Sequence, residues 1–203
     1  MKKPVLVIIA GPNGAGKSTL HAGLAEYNRL PFVNADMIAR ARFEDIGEAE
    51  SRAAQQEAQA QIMLRLQDQE SFCFETVFSH ISKIDLIRTA QTFGYEVELC
   101  IVSNDTEETN VARVKHRAAK GGHDVPSDKI RTRRVRTHVN LREAILIADR
   151  FRIFDTSQGH VVEVARSGGL PGYMALAEVP VWAQEILAKL TSRSGSGDTP
   201  ERE

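Results

Sequence analysis

The first residues able to do chemistry come as one block. Gly11, Pro12, Asn13, Gly14, Ala15, Gly16, Lys17, Ser18 and Thr19 read GPNGAGKST and satisfy the pattern G-x-x-x-x-G-K-[ST]. Glycines let a short loop turn its amide N–H groups inward toward phosphate oxygens, and a helix starting just after them adds partial positive charge. Lys17 is placed to bridge the β- and γ-phosphates of ATP, and the Ser18 hydroxyl to ligate Mg²⁺. ATP and Mg²⁺ are therefore the expected cofactors. No switch elements, ABC-type signature segment or strand ending in Asp-Glu accompany the loop, which points away from GTPases, motors and ABC-type ATPases.

A small kinase needs three further things: a carboxylate to take the acceptor proton, polar groups to hold the acceptor, and basic groups to cover the phosphates. Asp36, in FVNADMIAR, follows an apolar run at the edge where a parallel sheet presents residues to its crevice. It is a candidate general base, and the same position would also cap a helix over Met37, Ile38 and Ala39. Glu75 and Thr76, in SFCFETVFSH, stand among Phe72, Phe74 and Phe78, where a carboxylate is costly to bury without a partner. Acceptor binding is one reading of Glu75; a strand-end carboxylate satisfied by Lys, Arg or backbone N–H is the other. Arg113 and Arg117 lie one helical turn apart, and RTRRVR packs Arg131, Arg133, Arg134 and Arg136 into six residues. Such density is unfavourable unless anions visit, which suits a lid over the γ-phosphate. The alternative is a solvated basic face that pairs with Glu143 and Asp149 or touches RNA.

These residues need a scaffold, and the hydropathy pattern supplies one. Strands are expected at Val5–Ala10, 31–34, 72–78, 97–102 and 151–154, with a late edge strand at 161–165. Helical stretches lie between them, including Lys17 to Glu26 and an Ala/Gln/Glu-rich segment from about Glu48 to Gln69. Asp105 followed by Glu108 reads as an N-cap with its capping-box partner, starting a helix that runs to about Lys120 with Val111, Val114 and Ala118 as its apolar stripe. GGHDVP breaks it, and a second helix follows from about Ser127 to Ala148. Its stripe of Leu141, Ile145 and Ala148 is interrupted upstream by Arg134 and His138, so the first half should face something other than the core. Alternating strands and helices predict an α/β P-loop NTPase: a mainly parallel five- to six-stranded sheet flanked by helices, with an arginine-bearing helical lid at about 113–140. One domain over 1–190 and a disordered polar tail over 191–203 complete the expectation.

Composition limits the alternatives. The 203 residues include 42% hydrophobic ones, enough for a proper core, and 26 Lys plus Arg against 27 Asp plus Glu leave a net charge of -1, which argues against nucleic acid as a partner. Cys73 and Cys100 each sit in an apolar run and read as small buried hydrophobes. The N-terminal PVLVIIA is too short to span a bilayer, so no membrane association and a cytoplasmic, reducing location are expected. The six histidines show no pair with metal-ligand spacing and read as surface or loop residues.

With GPNGAGKST, FVNAD, FETVFSH, GGHDVP and the arginine-rich helix ending in Asn140 and Leu141 in order, the chain resembles the zeta toxin family over about Val5 to Asp155. The resemblance implies a P-loop kinase fold and ATP-dependent phosphorylation of a nucleotide-activated amino sugar, UDP-N-acetylglucosamine. It puts the catalytic base on Asp36 and the sugar-binding glutamate on Glu75. It puts the phosphate-contacting lid arginines on Arg117 and one of Arg131 or Arg133, and it implies an antitoxin protein as a partner. Where the family commonly has Glu-Gly-Thr, this chain reads Glu75-Thr76-Val77, so the threonine contact is displaced or lost. The combined expectation is a kinase acting on a hydroxyl of a small molecule. Two readings stand beside it: a nucleotide-dependent regulatory module acting on a protein or RNA partner, and a nucleic-acid end kinase.

Overall fold

The computed structural model describes residues 2–120, 125–168 and 172–194. His123 and most of the expected GGHDVP hinge lie outside the described residues. Strand β1 (Val5–Ala10) sits at the centre of a sheet, and its VLVIIA run is buried on both sides. Leu6, Ile8 and Ala10 join one core and Val7 and Ile9 the other. Continuous apolarity is what a parallel strand covered on both faces requires.

The remaining strands are β2 (Phe32–Asn34), β3 (Phe72–Thr76), β4 (Glu96–Ser103), β5 (Arg150–Asp155), β6 (Val162–Ser167) and β7 (Tyr173–Ala175). Their order is β2-β3-β1-β4-β5-β6-β7, parallel through β5 and antiparallel thereafter. Among the described residues the sheet has seven strands, not five or six, and the 161–165 run forms an inner strand instead of an edge. The missed edge strand β7 is short and wholly exposed, so no apolar alternation marks it. Cys73 and Cys100 are buried and unpaired, as expected of small core residues.

Helix α1 (Lys17–Gly23) stops before Glu26 because Leu24 turns extended, and α2 (Ala25–Asn28) resumes the chain. Leu20 and Tyr27 from this pair cover one sheet face. The other face is covered by α4 (Glu48–Gln67), α5 (Ser82–Thr92), the end of α7 (Ser127–Ala144) and α8 (Val181–Ser194). Helix α8 buries Trp182, Ala183, Ile186, Leu187 and Leu190, a stripe at helical spacing, and runs through Ser194 into the stretch expected to be tail. Residues 195–203 lie outside the described residues.

Two expected caps move. Asn34 caps α3 (Ala35–Arg42), its side chain accepting from the Met37 N–H at 3.1 Å, so Asp36 is not the cap but lies in the first turn. Thr106, not Asp105, caps α6 (Glu107–Ala119) through the Thr109 N–H. Asp105 is committed elsewhere: its N–H donates to Ser157 and its carbonyl accepts from Arg134.

Arg134 explains the interrupted stripe of α7. It is buried, donating to the Asn104 side chain and carbonyl and at 2.6 Å to Asn110 Oδ1, so it ties α7 to α6 and the end of β4 and does not face a visiting anion. One turn further on, His138 meets Ser103 Oγ at 3.1 Å and stacks near Trp182. Burial, with Arg134 and Arg142 adding repulsion, pushes His138 down to about 4 from an ordinary 6.5. The unfolded chain therefore takes up a proton here before the native one does. The contribution of this site is fully present above about pH 6.5 and is lost as pH falls toward 4, costing up to about 3 kcal/mol. A thermal melt series from pH 7 to pH 4 should show that loss, and His138→Gln should flatten it; identical pH profiles would refute the assignment.

Candidate functional site

The phosphate loop emerges where β1 ends, between β3 and β4, and the register explains its neighbours. Ile9 lies beside Glu75 and Glu75 beside Asn34, so the ends of β1, β3 and β2 deliver the loop, Glu75 and Asp36 to one edge of the sheet. Gly14 and Gly16 take positive φ of 75° and 92°, and Gly16 N-caps α1. The loop is fastened from behind. Thr156 Oγ1 donates to the Ala15 carbonyl at 2.9 Å, and Arg113 donates to Thr156 Oγ1 at 3.0 Å and to its carbonyl at 2.6 Å. Arg113 thus positions the loop, a role its place in the basic cluster did not indicate.

Lys17 is buried, and its ammonium donates to the Gly11 and Pro12 carbonyls at 3.0 Å each. Burial lowers its pKa, while Glu75 and then Asp36 pull the other way and Arg117 adds to the lowering. Those couplings show that the four side chains share one electrostatic neighbourhood. Ser18 Oγ donates to Glu75 Oε2 at 2.9 Å. The strand-end carboxylate therefore faces the loop hydroxyl that was expected to bind metal, and the two oxygens form a hard donor set of the kind Mg²⁺ takes.

A cleft of about 290 Å³ opens over this edge, lined by Asn13, Lys17, Asp36, Glu75, Thr76, Arg117 and Arg133 among others. Arg117 enters from α6 and Arg133 from α7. Arg131, the third arginine expected at the nucleotide, is not among the cleft's walls and pairs with Glu107 at 3.2 Å. Thr76 lines the cleft, but its Oγ1 accepts the Phe78 N–H at 3.1 Å, which fits a turn-shaping role. Phe78 adopts a positive φ of 63°, costly for an aromatic residue, and is held there by Asn140 donating to its carbonyl while Thr137 grips that of Val77. The wall 77–80 is thereby tied to α7. Gln55, Gln59, His80 and Lys83 complete the cleft, and no role was assigned to them from sequence. Their sequence signal is weak: each is one polar residue among others on a helix or turn, indistinguishable from surface until the helices pack. Among the described residues no helix is long and apolar enough to cross a membrane.

A mainly parallel sheet with the phosphate loop at its centre and a cleft over the C-terminal edge of its parallel strands defines a P-loop nucleotide-binding domain of kinase-like architecture. The AAA domain family matches residues 6–139, well over half of the chain, and the chain belongs to that family. A tRNA dimethylallyltransferase of Bordetella avium (strain 197N) is 41% identical over 68 residues, 34% of this chain and only 22% of that enzyme. Among solved structures, AvrRxo1-ORF1 with AvrRxo1-ORF2 and ATP superposes with a TM-score of 0.67 at 18% identity, covering 94% of this chain and 76% of that one. The PezAT chromosomal toxin-antitoxin system of Streptococcus pneumoniae gives 0.61 at 16% identity, covering 96% and 87%. At such identities the likeness is one of fold.

Proposed function

We propose that this chain is an ATP-dependent phosphotransferase acting on an alcohol of a small molecule. The observation that carries the reading is the convergence of Lys17, Asp36, Glu75, Arg117 and Arg133 on one cleft at the phosphate loop. Asp36 takes the proton from the acceptor hydroxyl, whose oxygen attacks the γ-phosphorus. The bond from that phosphorus to the β–γ bridging oxygen breaks, and ADP leaves with its negative charge held by Lys17 and the loop amides. Arg117 and Arg133 spread positive charge over the transferring group and exclude water. Ser18 and Glu75 would hold Mg²⁺, which when bound neutralises phosphate charge. Glu75 also borders the acceptor space, so one carboxylate serves both subsites.

The resemblance to zeta toxins makes UDP-N-acetylglucosamine the first acceptor to try, within a wider panel of hydroxylated metabolites. The test incubates wild type and Asp36→Asn with ATP and the panel and follows ADP release together with phosphorylated product by mass. Asn keeps the shape but cannot accept the proton, so transfer should fall about a hundredfold with ATP affinity nearly unchanged. ATP binding with no Asp36-dependent product from any acceptor would sink the reading.

A further inference from the structure

The cleft holds a cation that the phosphate loop does not use. Lys83, near the start of α5, lines the same cleft as Asp36, and its ammonium lies 5.3 Å from the centre of the Phe74 ring. Burial holds its pKa below the ordinary lysine value, and no carboxylate offsets that cost. Lys17 differs in this respect, since both Glu75 and Asp36 act on it. Glu75 and Asp36 thus act on Lys17, whereas burial alone accounts for the lowering at Lys83. Its contact with the Phe74 face orients the ammonium and leaves its N–H donors for something in the cleft.

His80 adds a second donor on the same wall. Its Nδ1 accepts the Ser82 N–H at 3.2 Å, which leaves Nε2 as the ring's donor position. This part of the wall therefore offers N–H groups, and a desolvated ammonium is stabilised by a negative charge more than by a neutral hydroxyl.

We infer that the acceptor carries a negatively charged group, phosphate or carboxylate, in addition to the hydroxyl that reacts, and that Lys83, with His80 beside it, binds that group. The inference rests on the phosphotransferase reading and names its substrate class. It makes Lys83 a specificity residue, one that recognises the part of the acceptor that does not react.

Two measurements test it. In the first, the nucleotide site is filled with a non-hydrolysable ATP analogue and Mg²⁺, and inorganic phosphate is titrated by calorimetry. Wild type should bind phosphate, and Lys83→Met should weaken that binding roughly tenfold or more. In the second, transfer is compared within matched pairs, each a neutral alcohol and its anionic counterpart: glycerol and glycerol 3-phosphate, glucose and gluconate, N-acetylglucosamine and UDP-N-acetylglucosamine. The charged member should be preferred, and Lys83→Met should erase the preference through KM. Phosphate binding equal in wild type and variant, efficient transfer to neutral alcohols alone, or an equal loss of affinity for the nucleotide would each overturn the assignment. Lys83-dependent phosphate binding without transfer to any acceptor would refute the kinase reading but leave the anion site standing.

Discussion

Replacing Lys17 with alanine should reduce phosphoryl transfer about a thousandfold while leaving the fold nearly as stable as wild type. Lys17 is buried, and its ammonium spans the Gly11 and Pro12 carbonyls, the position from which it would meet the β- and γ-phosphates. A preorganised donor aimed at developing charge contributes roughly 10²–10³ in rate, and here the donor is also a full charge in a desolvated site. Stability should respond differently. Burial disfavours the charged ammonium, so its removal relieves a desolvation cost even as two carbonyls lose a donor. The melting temperature should stay within a few degrees, and ATP affinity and turnover should fall together. A Lys17→Ala variant within tenfold of wild-type turnover would mean that the loop is not the phosphate site.

Gly11→Ala should do the opposite and strike the fold itself. A Cβ built on Gly11 would lie 1.9 Å from the Val102 carbonyl oxygen, so the loop entrance and the end of β4 would have to part. No flexible side chain can yield at that contact, because the obstacle is backbone. Overpacking of this severity costs about 3 kcal/mol or more, equivalent to a fall of about 10 °C in a domain of this size. Gly94→Ala is the control: Gly94 has a positive φ of 84° but nothing within 4 Å of an added Cβ, so only backbone strain of about 1 kcal/mol is expected. Equal melting temperatures for the two variants would contradict the close approach of β1 and β4.

Much of the architecture was legible because it is local. The VLVIIA strand, the glycine-rich loop and the helix after it follow from consecutive residues, and the apolar runs of β3, β4 and β5 mark strands buried on both faces. Caps were less legible, because several short polar residues compete for each. Thr106 caps α6 in place of Asp105, whose backbone N–H and carbonyl are held by Ser157 and Arg134. Spacing makes the six arginines one cluster, yet five of them have four distinct fates, and Arg136 is exposed. Arg134 is a buried tie between helices, Arg113 braces the loop, Arg131 pairs with Glu107, and Arg117 and Arg133 line the cleft. Sequence spacing places residues on a helix face but does not say what that face meets.

By itself, the sequence determined the phosphate loop, the central parallel strands and two carboxylates, Glu75 near the end of β3 and Asp36 just past the end of β2. Those features depend on glycine freedom, on apolarity and on the direction in which a parallel sheet presents its ends. Only the tertiary structure decided which arginines face the cleft, that Ser18 and Glu75 meet, and that Lys83 and His80 line the same cleft. Each of those depends on residues far apart in the chain being packed side by side, and no local pattern encodes that distance.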